Sequence, residues 1–503
     1  MEEVFSILFA ETNDSQSFEN SLEKNFQAIY DFFNAPYQIQ YKHKEEIEHF
    51  ILLKNKAISG SSFQTSESRS FLLILLNLCE RFALYSSIPP VIRIIKKNDI
   101  YINKRMSAAL KYLYPSPSSN DELLDKLEEI CMLLDEAISE EEDDTSKSII
   151  TFLNYYAHII NNTNITYATC AKDKLLSIIS SHKYNWLDQI DDIAYLDISD
   201  LTSAYNIIEE KIDEIYSRLN LTISTDCNNE DLLIEKDTDY CNELANVPNN
   251  FLSVRKISVK YADGNFIGRG VSMLETETEM FEYIKRFGKM HYAKLLSSFE
   301  LSFPQEFSEP VNIIDWGCGQ GLASMTFIEK YGESSVNNVV LIEPSEIVIK
   351  RAALHCLKFA PKASIRTICK KLNDVEHADI KLNFNVPTIH LFSNILDIDG
   401  YNTSQLLNLI TANLSKINYF VCVSPYIDEI KTSRLNSFMK YFHKYPTFIL
   451  YHDIENTKHS KYWLCNNAFQ KKCFSHGDSQ FCEEYGINGC INKWTRVLKI
   501  FSV

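Results

Sequence analysis

The chain has 503 residues, 45% apolar and 23% charged, which is the make-up of a folded, water-soluble protein and excludes a mainly disordered one. It is too long for one ordinary domain, and roughly two to four are expected. The net charge of −17 is uneven: residues 251–503 carry 29 Lys+Arg and 25 Asp+Glu, leaving 21 basic and 42 acidic residues in 1–250, so the first half should repel nucleic acid.

In chain order, the opening MEEVFSILFAETNDS begins acidic where an export signal would be basic, and a cytoplasmic chain is expected. The apolar stretch Phe71 to Cys79 is far shorter than a membrane span and meets Glu80, so it reads as a buried helix, with no membrane contact expected. Residues 1–138 read as a helical region. Within it Leu123, Leu124, Leu127, Ile130, Leu134 and Ile138 recur at three- and four-residue spacings behind a capping Asn120 or Asp121. The run Ser139 to Ser148 reads as a solvated break. A second helical region, 148–222, repeats the stripe with Ile207, Ile208, Ile212, Ile215 and Leu219. Residues 223–250 are polar and acidic and read as a linker. The expected domain after it is 251–503. Residues 251–268 alternate around an Asp-Gly pair and suggest a hairpin.

From Val311 onward strand-like and helix-like segments alternate: VNIID, NNVVLIE, SIRTIC, PTIHLFSNIL, NYFVCVSPY, PTFILYHDI and KWTRVLKIFSV are the strands. Seven strands with intervening helices imply an α/β fold, a Rossmann-like, mostly parallel sheet covered on both faces and preceded by an all-α N-terminal region.

At the end of the first strand the sequence reads DWGCGQGLAS. An acid, Asp315, precedes glycines at 317, 319 and 321, and a helix-compatible run follows. Glycines there accept backbone angles closed to other residues and let a ligand lie on the main chain. A dinucleotide site needs G-x-G-x-x-G; here the third glycine is one residue early, and Asp315 would repel a pyrophosphate and suit a cation. This stretch resembles the glycine loop of class I S-adenosylmethionine-dependent methyltransferases, [D/E]-x-G-x-G-x-G, without departure.

The resemblance covers roughly Glu275 to Val503 and implies S-adenosyl-L-methionine as cofactor, with Asp315, Gly317, Gly319, Gln320 and Gly321 about its amino acid end. It implies Glu343, 22 residues past Gly321, on the ribose hydroxyls, since a carboxylate can accept from both. It further implies Pro344 and Ser345 near the adenine face, Leu372, Asn373 or Asp374 at its edge with Asn373 chosen, and Ser393 and Asn394 at the fourth strand's end, facing the methyl group.

Methyl transfer needs chiefly a collinear arrangement of acceptor and methyl, and a base only for a weakly nucleophilic acceptor. Asn394 and His291 are the catalytic candidates, each against a plainer reading: a strand-end hydrogen bond for Asn394, a helix-surface histidine for His291. Tyr283 and Phe287 could cover the cofactor or be core. Asp397 and Asp399 could be bases or turn residues. Trp316 and Cys318 read as packing. The N-P-P-Y-like tetrapeptide of many base aminomethyltransferases is replaced by SNIL, which, with the charge, favours a protein or small-molecule acceptor while leaving nucleic acid open.

Cys465, Cys473, Cys482 and Cys490, with His452, His459 and His476, lack a close chelating pair, so no metal is expected. Reduced thiols are expected throughout. Residues 1–220 are the expected docking region for the acceptor or a protein partner. The competing reading is a regulatory protein that binds the cofactor without transferring its methyl group.

Overall fold

The computed structural model describes all residues except 1–13, 34–36, 116, 140–144, 220–231, 264–272, 302–306, 308, 457–462 and 465–492. Cys465, Cys473, Cys482, Cys490, His459 and His476 therefore lie outside the described residues. The chain forms two compact units, one built mainly on Met1–Thr222, the other on Ile223–Phe266, Ser272–Tyr426 and Arg434–Val503.

The first unit is helical, with no strand among its described residues. Its helices form where apolar side chains recur with the helical period. In Asn120–Ser139 the residues Leu123, Leu127, Ile130, Leu134 and Ile138 are buried, and in Leu201–Leu219 Ile208 and Ile212 are. The apolar stretch from Phe71 lies inside Ser66–Arg81, whose first turn is capped by Thr65, accepting from Ser68 N at 3.2 Å. One polar cluster is buried here: Arg105 lies 3.5 Å from Glu80 and donates to Thr151 Oγ1 at 3.0 Å. Each member has its partner, as burial of charge requires. No described helix in either unit is long and apolar enough to cross a membrane.

The second unit is built on a seven-stranded sheet: β1 (Val311–Trp316), β2 (Val336–Ile342), β3 (Ser364–Ile368), β4 (Thr388–Ser393), β5 (Asn418–Ser424), β6 (Ile449–Asn456) and β7 (Arg496–Ser502). The order is β3-β2-β1-β4-β5-β7-β6, with the first five strands parallel and β7 antiparallel to both β5 and β6. This is the α/β, mostly parallel sheet that the alternation of segments implied. Its helices are α1 (Asp239–Ala245), α2 (Phe251–Tyr261), α3 (Glu277–Phe299), α4 (Leu322–Tyr331), α5 (Glu346–Phe359), α6 (Thr403–Ala412) and, from Arg434 on, α7 (Glu429–Tyr441). Neighbouring strand residues face opposite layers. Ile313, Val339, Leu341 and Leu391 pack with α2 to α5, whereas Ile314, Val340, Ile342 and Phe392 pack with α6 and the Leu435–Phe438 end of α7. Both faces are thus covered, which is why the strands read as continuous apolar runs.

Two stretches differ from their sequence readings. The hairpin expected over 251–268 is instead helix α2 across Phe251–Tyr261, capped by Asn250. Phe251, Val254 and Ile257 are its buried face, and Phe251 stacks on Tyr292 of α3 at 4.6 Å. The apparent alternation came from Leu252 and Val259, which are exposed. The described part of the expected linker, 232–250, is packed. Leu233 is buried and donates from its backbone to Thr367 Oγ1 at 2.7 Å, while Tyr240 and Leu244 bury one side of α1. Glu235 pairs with the buried Arg351 of α5, which also meets Glu277 at 2.7 Å. Polar composition here marks partners for a buried cation, not solvated chain. Seven of the described cysteines are free thiols.

Candidate functional site

Strand order reverses between β1 and β4: β2 and β3 lie on one side of β1, β4 and β5 on the other. In sheets of this kind a crevice opens at the carboxyl ends of the strands at that switch point. Pairing of Asp315 with Leu391 and of Asp315 with Leu341 puts Gly317 level with Ser393 and with Glu343, two residues further along each strand. The sequence candidates on β1, β2 and β4 therefore converge because parallel strands end together.

The loop leaving β1 turns through three left-handed residues, with φ of +64° at Gly317, +50° at Gly319 and +78° at Gly321. A Cβ at Gly317 would fall 2.5 Å from Ile395 Cδ1, so the loop lies directly against the chain after β4. A Cβ at Gly321 would sit 3.3 Å from Ala352 of α5. A Cβ at Gly319 would meet nothing among the described residues within 4 Å, so on that side the bare backbone faces open space. Two of the glycines serve close packing; the middle one leaves room for a ligand.

Two carboxylates flank this opening. Asp315 is buried, and its Oδ2 accepts from Ser324 N at 3.2 Å and from Ser324 Oγ at 2.7 Å, both at the start of α4. Its Oδ1 has no hydrogen-bond partner among the described residues. Burial raises its pKa to about 6 against the two bonds from Ser324. Glu343 accepts from Gly319 N at Oε2 and from Ser345 N at Oε1, each at 3.2 Å. Burial is again the main cause of its rise to about 7, with the neighbouring Asp315 adding to it. Each Glu343 oxygen retains a lone pair for a further donor. Pro344 follows, half-buried, and the Ser345 hydroxyl donates to Leu274 O at 2.7 Å.

Two expected cofactor contacts also make hydrogen bonds within the protein. Gln320 is buried and donates from Nε2 to Met280 O of α3 at 2.9 Å, while its backbone carbonyl accepts from His355 Nδ1 at 2.8 Å. Burial lowers the His355 pKa to about 4, and its Nε2 meets the Tyr240 hydroxyl at 2.6 Å. Gln320 thus ties the loop to α3 and α5. Asn373 is exposed and accepts from Asn402 N at 2.8 Å, just before α6.

Asn394 and His291, 103 residues apart, meet. Asn394 Nδ2 lies 2.9 Å from His291 Nδ1 and 3.2 Å from Ser393 Oγ, while Asn394 N donates to Val423 O at 2.8 Å. His291 is buried in α3, not on a helix surface. Burial, then the charge of Lys294, hold its pKa well below the ordinary value. The neutral ring accepts at Nδ1 and so carries its proton on Nε2. Tyr283 lies parallel to it at 6.0 Å and Phe287 tilted at 6.0 Å. Asp397 is buried and accepts from Ser424 Oγ at 2.9 Å, a structural role. Trp316 stacks on Phe392 and donates to His390 Nδ1 at 3.3 Å, as core. No group of three or more possible metal ligands occurs among the described residues.

Ser324 and Ile395 were missed in the sequence. Only Ser324 left a signal, a hydroxyl in the first turn of the helix after the loop, where it can reach back to the strand-end acid.

No protein-family model and no curated protein matches the chain. Among solved structures the chain is similar to the plantazolicin methyltransferase BpumL in complex with SAH, with 14% identity, 52% of this chain and 93% of that chain covered, and a TM-score of 0.25. It is similar to geranyl diphosphate methyltransferase in complex with GPP and sinefungin at 10% identity, covering 52% and 97%, TM-score 0.27. Phospholethanolamine N-methyltransferase 2 of Haemonchus contortus, with phosphomonomethylethanolamine and S-adenosylhomocysteine, matches at 13% identity over 45% and 57%, TM-score 0.27.

Proposed function

We propose that the chain is an S-adenosylmethionine-dependent methyltransferase whose cofactor lies across Gly319 between Asp315 and Glu343. The observation that carries this reading is the pairing of an open backbone at Gly319 with two carboxyl groups of raised pKa beside it. Carboxyl groups of raised pKa next to an opening favour a ligand that brings positive charge and hydroxyl donors; a pyrophosphate would meet repulsion. A sulfonium nucleoside with an amino acid tail has both features.

In this reading Glu343 accepts the ribose hydroxyls, and Asp315 Oδ1 receives a donor from the methionine portion, directly or through water. Gly317, Gly319 and Gly321 keep the main chain close, and Pro344 borders the adenine. When bound, the cofactor supplies an activated methyl group. The chain's own part is to hold it, exclude water and line up the acceptor, work that requires no strong base. Ser393, Asn394 and His291 stand on the acceptor side. The acidic helical region 1–220 would recognise the acceptor or a protein partner.

Titration calorimetry with S-adenosylmethionine, its demethylated product and NAD tests the cofactor. The first two should bind and NAD should not; the reverse result ends the proposal. Transfer of labelled methyl groups into lysate separated into protein, RNA and small-molecule fractions then identifies the acceptor class. Binding without transfer into any fraction would favour the regulatory reading.

A further inference from the structure

Asn394 has a φ of +56°, outside any helix end, at the tip of β4. A non-glycine residue is held there at some cost, and such strain persists where the surroundings impose it. One side of its amide is occupied by His291 Nδ1 at 2.9 Å and Ser393 Oγ at 3.2 Å. The other side, Oδ1, is shut off from solvent without a hydrogen-bond partner among the described residues. Turning the amide over would bury an unpaired NH2, the less tolerated of the two orphans, so the oxygen is the open position. A buried acceptor without a donor is an asymmetric loss that a ligand N–H would relieve.

We propose that Asn394 Oδ1 accepts an N–H of the methyl-accepting group, that His291 is the positioning residue that fixes the amide, and that the acceptor is therefore a neutral amine nitrogen. This deepens, and rests on, the methyltransferase reading above. A hydroxyl acceptor would have to lose its proton as it attacks. The amide cannot take that proton, and His291 Nδ1 is already engaged by Asn394. A neutral amine needs no such base. Its lone pair forms the new N–C bond while the C–S bonding pair goes to sulfur, which becomes neutral. The positive charge moves to the nitrogen, where Oδ1 faces it, and the product ammonium releases its proton to water after leaving.

The test uses two nucleosides that differ at the reacting position. Sinefungin has a carbon in place of the sulfur and carries an amine where the methyl group stands; S-adenosylhomocysteine has the sulfur and no methyl group. Calorimetry on the full chain should find sinefungin bound at least about tenfold more tightly. Asn394→Gly, which suits a positive φ, should bring that ratio near one and leave S-adenosylhomocysteine binding intact. His291→Leu should lower the ratio, and His291→Gln, whose amide oxygen can still accept from Asn394 Nδ2, should restore it. If Asn394→Gly does not fold, the two His291 variants give the same readout. A ratio near one in the unaltered chain, or one unmoved by these changes, overturns the inference while the cofactor reading stands. If neither nucleoside binds the unaltered chain, the cofactor reading itself has failed.

Discussion

Left-handed residues other than glycine occur in both units, and their settings differ. In the helical unit Ala83, Asp99 and His182 have φ near +50° just past the ends of helices. Leu84 N reaches Cys79 O and Ala83 N reaches Glu80 O; Ile100 N reaches Ile95 O and Asp99 N reaches Lys96 O. These bonds close helix C-termini, so the backbone cost is offset by carbonyls that would otherwise lack donors. In the sheet unit Asn394 takes the same conformation at a strand end, where no helix needs closing. The buried acids differ in the same way. Glu80 is matched to Arg105, whereas Asp315 keeps one oxygen without a partner among the described residues. The helical unit pairs this buried acid within itself; the sheet unit leaves one oxygen of its buried acid in reserve at the switch point of its sheet.

The contrast can be broken most sharply at the glycines. Gly317→Ala should destabilise the fold by about 3 kcal/mol, since it adds a left-handed side chain and drives Cβ into Ile395. Gly319→Ala, at the open position, should cost only about 1–2 kcal/mol of stability yet abolish nucleoside binding. Thermal melts with and without S-adenosylmethionine separate the two, and equal stability losses would show that Gly319 is packed after all. Next, Glu343→Ala should weaken S-adenosylmethionine binding by roughly 1–3 kcal/mol, the loss of charged hydrogen bonds, read by calorimetry.

Asp315→Asn sharpens the comparison through pH. The folded carboxyl holds its proton to about pH 6, against an ordinary value of 3.8. Between those values the folded state binds more protons than the unfolded one, so stability falls as pH rises through the window. The loss by pH 7 is on the order of 2–3 kcal/mol. The amide variant avoids it, so without cofactor it should melt higher than the original above pH 7, lose that advantage below pH 4, and bind S-adenosylmethionine more weakly. A variant less stable at every pH would place the charge of Asp315 in the fold rather than in reserve. The smallest effect belongs to the helical unit: Ala83→Gly should stabilise by up to about 1 kcal/mol in denaturant titration and leave nucleoside binding unchanged.

The amino-acid sequence by itself determined the features whose causes are local. The stripe through Leu123, Leu127, Ile130 and Leu134 dictates a helix because its period matches the helical turn. The strand-helix alternation after Val311 dictates a sheet covered on both sides. Asp315, the three glycines and Glu343 were legible because a strand end, a left-handed turn and a helix start are neighbours in the chain. Tertiary structure alone decided what depends on distant partners. Gly288 leaves space for Phe251, whose Cζ would lie 2.9 Å from an added Cβ, and that contact lets 251–261 settle as a helix against α3. Met280 claims Gln320, Asn402 claims Asn373, and the sheet's strand order brings His291 to Asn394. Periodicity reports which face of a segment is buried; it carries no record of what lies on the other side.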